Sequence, residues 1–143
     1  MKRIGILGDI GSGKSYVAQN FGFPIFNADK EVSKLYEKDR KIFKKLKKIL
    51  PNYFNSYPID KKNVSDAILD NKNNLKKIIN IIHKEIKKKM KLFLNKNKHK
   101  KIVILDIPLL LENKINNKKD ILIFVESKKK RYRKKTDKKK KFW

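Results

Sequence analysis

The residues with the clearest chemical potential lie near the start of the chain. They are Gly8, Asp9, Ile10, Gly11, Ser12, Gly13, Lys14 and Ser15. This segment fits the pattern G-x-x-x-x-G-K-[ST] at every fixed position, and glycines let such a loop wrap closely around a polyphosphate. The Lys14 ammonium would reach the β- and γ-phosphates, and the Ser15 hydroxyl would ligate Mg²⁺. The spacing therefore predicts a site for a nucleoside triphosphate with magnesium.

The elements around this loop match the context that the pattern requires. Residues 3–7 are predicted to form a short buried strand, and residues 16–21 a helix that Gly22 ends. The helix begins near Lys14, so its positive end would point at the phosphates. The predicted ATP-binding set comprises Gly8, Asp9, Ile10, Gly11, Ser12, Gly13, Lys14, Ser15 and Tyr16.

The rest of the chain alternates apolar runs with amphipathic segments. Residues 24–27 predict a short second strand, and the runs 102–106 and 121–125 are typical of strands buried on both faces. An amphipathic segment from Asp29, its predicted N-cap, is stopped by Pro51; Ser65 is predicted to cap a brief helix, and residues 75–94 predict a long one. The pattern predicts an α/β fold, an open and mostly parallel sheet flanked by helices.

Composition limits the class of protein. The chain has 143 residues, enough for one domain, and it has no cysteine, which excludes disulfides and thiolate metal sites. No apolar run approaches the roughly 20 residues that a membrane span needs. We therefore expect a soluble, cytoplasmic protein without a membrane partner, with a monomer as the default state.

The formal net charge of +26 has two possible origins. A nucleic-acid-binding surface is one. Drift in an AT-rich genome, which favours lysine, asparagine and isoleucine, is the other. Arginine occurs only at Arg3, Arg40, Arg131 and Arg133, whereas nucleic-acid readers favour arginine, so drift is the preferred explanation. Nonspecific binding to polyanions at low salt is expected in either case.

Beyond the loop, the chain resembles the dephospho-CoA kinase family. The family's loop is followed by an Asp-Ala-Asp tripeptide, which stands here as Asn27-Ala28-Asp29. His83 is similar to a histidine that the family carries late in a helix. The family's strand running into V-P-L-L-x-E matches residues 106–112. The resemblance extends over residues 1–127, and it implies ATP-dependent phosphorylation of the ribose 3′-hydroxyl of dephospho-CoA.

The resemblance also implies roles for individual residues. Asp29 matches the carboxylate beside the acceptor hydroxyl, and with Lys14 it forms the predicted catalytic pair; helix capping is its alternative role. Ser15 and Asp106 are the predicted metal ligands, although Asp106 could equally be a turn carboxylate. The predicted acceptor-binding set comprises Asn27, Asp29, His83, Pro108, Leu109, Leu110 and Glu112. Simple packing or capping is the alternative for the last five of these.

The end of the chain departs from the family. The family continues with an arginine-bearing lid, a strand and a helix, whereas residues 128–143 are a lysine-rich run without apolar period. We therefore predict a kinase domain over residues 1–127, with its helical acceptor-binding part at about residues 30–98, and a disordered tail. A truncated or frame-shifted copy is one expectation. Another phosphate-loop kinase, an inactive fragment and a basic nucleic-acid-binding protein are the alternatives.

Overall fold

The computed structural model describes residues 1–9, 11–107 and 119–126. These residues form four strands and five helices. In chain order they are β1 (Lys2–Gly8), α1 (Lys14–Asn20), β2 (Ile25–Asn27), α2 (Ala28–Lys38), α3 (Arg40–Ile49), α4 (Lys61–Asp70), α5 (Lys72–Lys96), β3 (Ile102–Asp106) and β4 (Ile121–Val125). The predicted tail, residues 128–143, lies outside the described residues.

The described chain divides into two compact units. A sheet unit contains residues 1–28 and the described residues from Met90 onward, and a helical unit contains Asp29–Lys89. Of the helices within the described ranges, none combines the length and apolar character needed to span a lipid bilayer.

The sheet has the strand order β2-β3-β1-β4, and every pair of neighbours runs parallel. Parallel strands need long connections, and helix α1 lies in the connection from β1 to β2, while helices α2 to α5 lie in the connection from β2 to its neighbour β3. The α/β architecture predicted from the alternation of strands and helices is therefore confirmed. All three described strand pairs are parallel.

The core of the sheet unit forms around the two central strands. Its buried cluster consists of Ile4, Ile6, Ala18 and Ile104, with Ile25, Ile102, Ile123 and Val125 packed against it. Residues 103–106 of β3 are all buried, as the continuous apolar run predicted. The rings of Phe26 on β2 and Phe93 on α5 add a tilted aromatic contact with centroids 5.6 Å apart.

Strand β4 differs from the prediction. The sequence predicted a strand buried on both faces, but Ile121, Leu122 and Phe124 are 48%, 50% and 57% exposed. The physical reason is position, because β4 is the outer strand of the described sheet and pairs there with β1 alone. An ion pair lies just before β4, where Arg3 Nη2 is 2.8 Å from Oδ2 of Asp120, whose side chain is 3% exposed.

The helical unit corrects three details of the sequence reading. Helix α2 begins at Ala28, so Asp29 lies in its first turn and is not the N-cap. The amphipathic stretch that ends before Pro51 is two helices, because Asp39 accepts a hydrogen bond from Ile42 N (3.0 Å) and starts α3. Helix α4 begins at Lys61, with Asp60 as its cap.

Ser65 accordingly lies inside α4 and does not cap it. Its hydroxyl donates to the Lys61 carbonyl, four residues earlier, at 3.2 Å. The long helix predicted over residues 75–94 is present as α5, which starts three residues earlier and ends two residues later. Its buried positions Ile78, Ile82, Ile86 and Met90 follow a four-residue repeat.

A buried hydroxyl lies among the apolar side chains of the helical unit. Tyr36 is 2% exposed, and its hydroxyl has no hydrogen-bond partner within the described part of the chain. Burial raises the pKa of Tyr36 well above its ordinary value, because the phenolate would lose its hydration. Native Tyr36 therefore stays neutral at a pH where the unfolded chain ionises it.

This difference predicts a pH dependence of stability that belongs to one residue. The pKa of Tyr36 is higher in the folded state. Its contribution to the free energy of unfolding is therefore complete below the unfolded pKa of about 10 and declines as the pH rises above that value. We expect Tyr36→Phe to be neutral or to raise the free energy of unfolding by up to about 1 kcal/mol at pH 7, since it removes an unbonded buried hydroxyl.

Urea unfolding of both proteins between pH 7 and 11 measures this effect. Tyr16→Phe is the matched control, because Tyr16 is 73% exposed on α1 and its hydroxyl is not buried among apolar side chains. The stability advantage of Tyr36→Phe over wild type should grow above pH 10. A constant difference across this range would contradict the assignment.

Candidate active site

The glycine-rich loop joins β1 to α1 at the carboxyl end of β1, one of the two central strands of the sheet. Strand β1 ends at Gly8, and α1 begins at Lys14 with Gly13 as its N-cap. Gly13 has a φ of 86°, a left-handed conformation that side chains disfavour. Within the loop, Ser12 N donates to the Asp9 carbonyl at 3.0 Å. Ile10 lies outside the described residues.

Gly8 is required because two groups approach it closely. A Cβ placed on Gly8 would lie 2.6 Å from Ser12 Oγ and 2.7 Å from the carbonyl oxygen of Val125. The serine can turn away, but the carbonyl belongs to the backbone of β4, which pairs with β1 at this position. The glycine thus lets the loop and β4 both pack against the end of β1.

The carboxylate of Asp106 is the centre of the site. Its Oδ1 lies 2.8 Å from Lys14 Nζ, and its Oδ2 accepts hydrogen bonds from Ser15 Oγ at 3.0 Å and Asn27 Nδ2 at 3.1 Å. Asp106 is only 3% exposed, and the Lys14 side chain is 14% exposed. The negative charge is therefore buried with an ammonium ion and two hydrogen-bond donors, which is the condition under which a protein tolerates a buried charge.

The strand order explains why these four residues meet. Strand β3 lies between β1 and β2, and its last residue, Asp106, is in register with Asn27 on one side and Ile6 on the other. Asn27 ends β2, while Lys14 and Ser15 open the helix that follows β1. Carboxyl ends of parallel strands meet at one edge of a sheet, where α/β proteins bind their ligands.

The hydroxyl of Ser12, in the loop, is buried without a hydrogen-bond partner among the described residues. Ser12 Oγ makes no hydrogen bond to any described residue, although it is shielded from solvent. An orphaned hydroxyl inside an anion-binding loop suits a ligand that brings its own acceptor oxygens. Among the residues described, no group of three or more histidine, cysteine, aspartate or glutamate side chains is arranged to hold a metal.

The structure brings part of the predicted set together. Lys14, Ser15, Asn27 and Asp106 form one hydrogen-bonded cluster, while Tyr16 is exposed on α1. Asp29 and the buried His83 belong to the helical unit. The remaining acceptor residues, Pro108, Leu109, Leu110 and Glu112, lie outside the described residues. The sequence did not predict the Asn27–Asp106 hydrogen bond, because nothing in it shows that β2 and β3 are neighbours.

A parallel sheet with a glycine-rich phosphate loop after its first strand defines the class of phosphate-loop α/β proteins. The dephospho-CoA kinase family model matches residues 2–140, and the chain belongs to that family. A dephospho-CoA kinase from Wolbachia sp. subsp. Brugia malayi is 34% identical over 127 residues. One from Bartonella henselae is 33% identical over 132 residues.

These relatives are longer than this chain. The matches cover 85% of this chain and 65% of the Wolbachia protein, and 89% of this chain and 67% of the Bartonella protein. The crystal structure of TT1252 from Thermus thermophilus has a TM-score of 0.67 and 25% identity, over 87% of this chain and 65% of that one. The chain thus spans about two thirds of the length of the proteins it resembles.

The close packing at Gly8 predicts a local response to substitution. Gly8→Ala should push β4 away from β1, since the Val125 carbonyl cannot rotate aside as the Ser12 side chain can. We expect a loss of about 1–3 kcal/mol in the free energy of unfolding, the usual cost of overpacking. Backbone amides of β4 should exchange hydrogen faster than in wild type.

Gly22→Ala is the matched control. Gly22 has a φ of 70° and open space around it, so alanine there is strained but meets no neighbour. It should lower stability without a selective effect on β4. Equal rates of amide hydrogen exchange for β4 in both variants would show that a Cβ at Gly8 does not displace β4.

Proposed function

We propose that the chain carries the phosphoryl-transfer site of a dephospho-CoA kinase. The reaction transfers the γ-phosphoryl group of ATP to the ribose 3′-hydroxyl of dephospho-CoA, which gives coenzyme A in the final step of its biosynthesis. The observation that carries the proposal is the cluster of Lys14, Ser15 and Asp106 at the carboxyl end of a parallel sheet. Membership of the dephospho-CoA kinase family supports the choice of acceptor.

On the nucleotide side, the loop supplies positioning and positive charge. Its backbone N–H groups would surround the phosphates, and the buried Ser12 hydroxyl would find an acceptor there. Lys14 now contacts Asp106 and would turn to the β- and γ-phosphates when they arrive. The ammonium then stabilises the charge that develops on the transferring group.

The donor set near Lys14 fits a magnesium ion. Mg²⁺ prefers oxygen ligands and commonly uses one or two protein groups together with phosphates and water. The Ser15 hydroxyl and the Asp106 carboxylate are such oxygens, 3.0 Å apart. When bound, the ion would neutralise negative charge on the phosphate oxygens.

On the acceptor side, Asp29 is the proposed base. It is the second residue of α2, which follows β2 without an intervening loop. Its carboxylate would accept the proton of the 3′-hydroxyl as the oxygen–phosphorus bond forms and the bond to the β-phosphate oxygen breaks, releasing ADP. The other predicted acceptor residues, on the strength of the family resemblance, remain Asn27, His83, Pro108, Leu109, Leu110 and Glu112. We place this activity in the cytoplasm.

An acceptor assay tests the proposal. Purified chain, Mg-ATP and dephospho-CoA should yield coenzyme A, detected by mass spectrometry, and chelation of divalent metal should stop the reaction. We expect Lys14→Ala to lower kcat by about 10²–10³-fold, because it removes a charged group that stabilises the transition state. Asp29→Asn should cost about 10²–10⁴-fold if it acts as the base.

Lys91→Ala is the matched control, since Lys91 is an exposed lysine on α5 and should be neutral. A panel of nucleoside and small-alcohol acceptors distinguishes a different phosphate-loop kinase. Phosphorylation of another acceptor in preference to dephospho-CoA would contradict the assignment, as would wild-type activity in Lys14→Ala.

A further inference from the structure

The three groups that hold Asp106 have different roles in the proposed function. Lys14 would leave for the phosphates, and the Ser15 hydroxyl would turn to the metal. The proposed function gives the Asn27 amide no role in binding the phosphates or the metal. Its Nδ2 donates to Asp106 Oδ2 at 3.1 Å from the end of the neighbouring strand. Asn27 is therefore the contact that persists when the other two change partners.

We propose that Asn27 is a positioning residue that makes cation binding dependent on the nucleotide. It holds the Asp106 carboxylate beside Lys14 without adding charge, so the nucleotide-free site does not retain a free divalent cation. The cation then enters together with the nucleoside triphosphate. The inference rests on the proposed function, because it takes Ser15 and Asp106 as the metal ligands.

Charge is the first step in the argument. One carboxylate at Asp106 and one ammonium at Lys14, 2.8 Å apart, cancel, and both side chains are largely buried. A divalent cation approaching this pair would have to displace the ammonium ion or lie beside it. Coulomb repulsion is strong at such distances in a partly buried site. Phosphates relieve the conflict, because they draw Lys14 away and bring negative charge of their own.

The chemical identity of residue 27 is the second step. Asparagine and aspartate have nearly the same shape, but the amide carries N–H donors, whereas an ionised aspartate can only accept. Aspartate here would face Asp106 with a second carboxylate, and with both ionised the three side chains would carry a net charge of about −1, a state that a bound divalent cation favours. Such a pair is a ready ligand set for a divalent cation. The amide therefore preserves both the orientation of Asp106 and the neutrality of the empty site.

Binding of Mn²⁺ to the nucleotide-free chain tests the inference, with free Mn²⁺ followed by electron paramagnetic resonance. Wild type should bind little Mn²⁺ alone and should bind it readily with ATP. Asn27→Asp should bind Mn²⁺ without ATP at least about tenfold more tightly than wild type, since it adds one charge next to the cation. Lys14→Met gives the site the same net charge, because it removes the ammonium ion beside Asp106, and it should also bind Mn²⁺ without ATP more tightly than wild type.

Asn95→Asp is the matched control, because Asn95 is exposed on α5 within the sheet unit and the change adds the same charge there. It should bind Mn²⁺ as wild type does. Circular dichroism checks that each variant is folded. If Asn27→Asp does not fold, Lys14→Met still tests the charge balance on which the inference depends, and unchanged binding of Mn²⁺ by it would overturn the inference.

The outcomes separate this inference from the proposed function. Tight binding of Mn²⁺ by nucleotide-free wild type would overturn the inference, and so would unchanged binding in both folded variants. Binding of Mn²⁺ with ATP in those same experiments would leave the proposed nucleotide site standing. Failure of wild type to bind Mn²⁺ even with ATP would count against the proposed function, and it would also overturn the nucleotide dependence that the inference claims.

Discussion

A single buried carboxylate organises the site. Asp106 ends the strand that lies between β1 and β2, and it accepts contacts from the helix that follows β1 and from the end of β2. A charge this deeply buried is stable only while its partners remain in place. The position of the phosphate loop, the start of α1 and the pairing of β2 with β3 are therefore coupled through one side chain. Loosening any of these elements would leave a costly unpaired group.

The sequence was sufficient for those features that depend on local pattern. The loop from Gly8 to Ser15, the apolar run of β3 and the four-residue repeat of α5 each determine a type of element without reference to distant residues. Parallel pairing also followed, since strands separated by helical segments have little alternative. These local signals, together with the family resemblance, were enough to name Lys14, Ser15 and Asp106 as candidate site residues.

Features that depend on which elements become neighbours could not be predicted. The Asn27–Asp106 hydrogen bond requires the order β2-β3-β1, and an apolar run such as that of β4 reads alike in an inner and an outer strand. Capping residues were mistaken for a related reason. Asp29, Asp39, Asp60 and Ser65 all favour helix starts, and only the backbone shows which of them accepts an N–H. These residues have similar local preferences for a helix start, so only the tertiary structure determines which of them caps a helix.

The outer strand has a consequence for behaviour at high concentration. Strand β4 presents half-exposed Ile121, Leu122 and Phe124 beside an unpaired backbone edge in the described sheet, which is a template for cross-strand aggregation. Mutual repulsion between chains carrying +26 charges opposes that association at long range. Salt shortens the reach of this repulsion to about 8 Å at physiological ionic strength. We therefore expect the lysine excess to oppose association between chains, and this effect to weaken as the ionic strength rises.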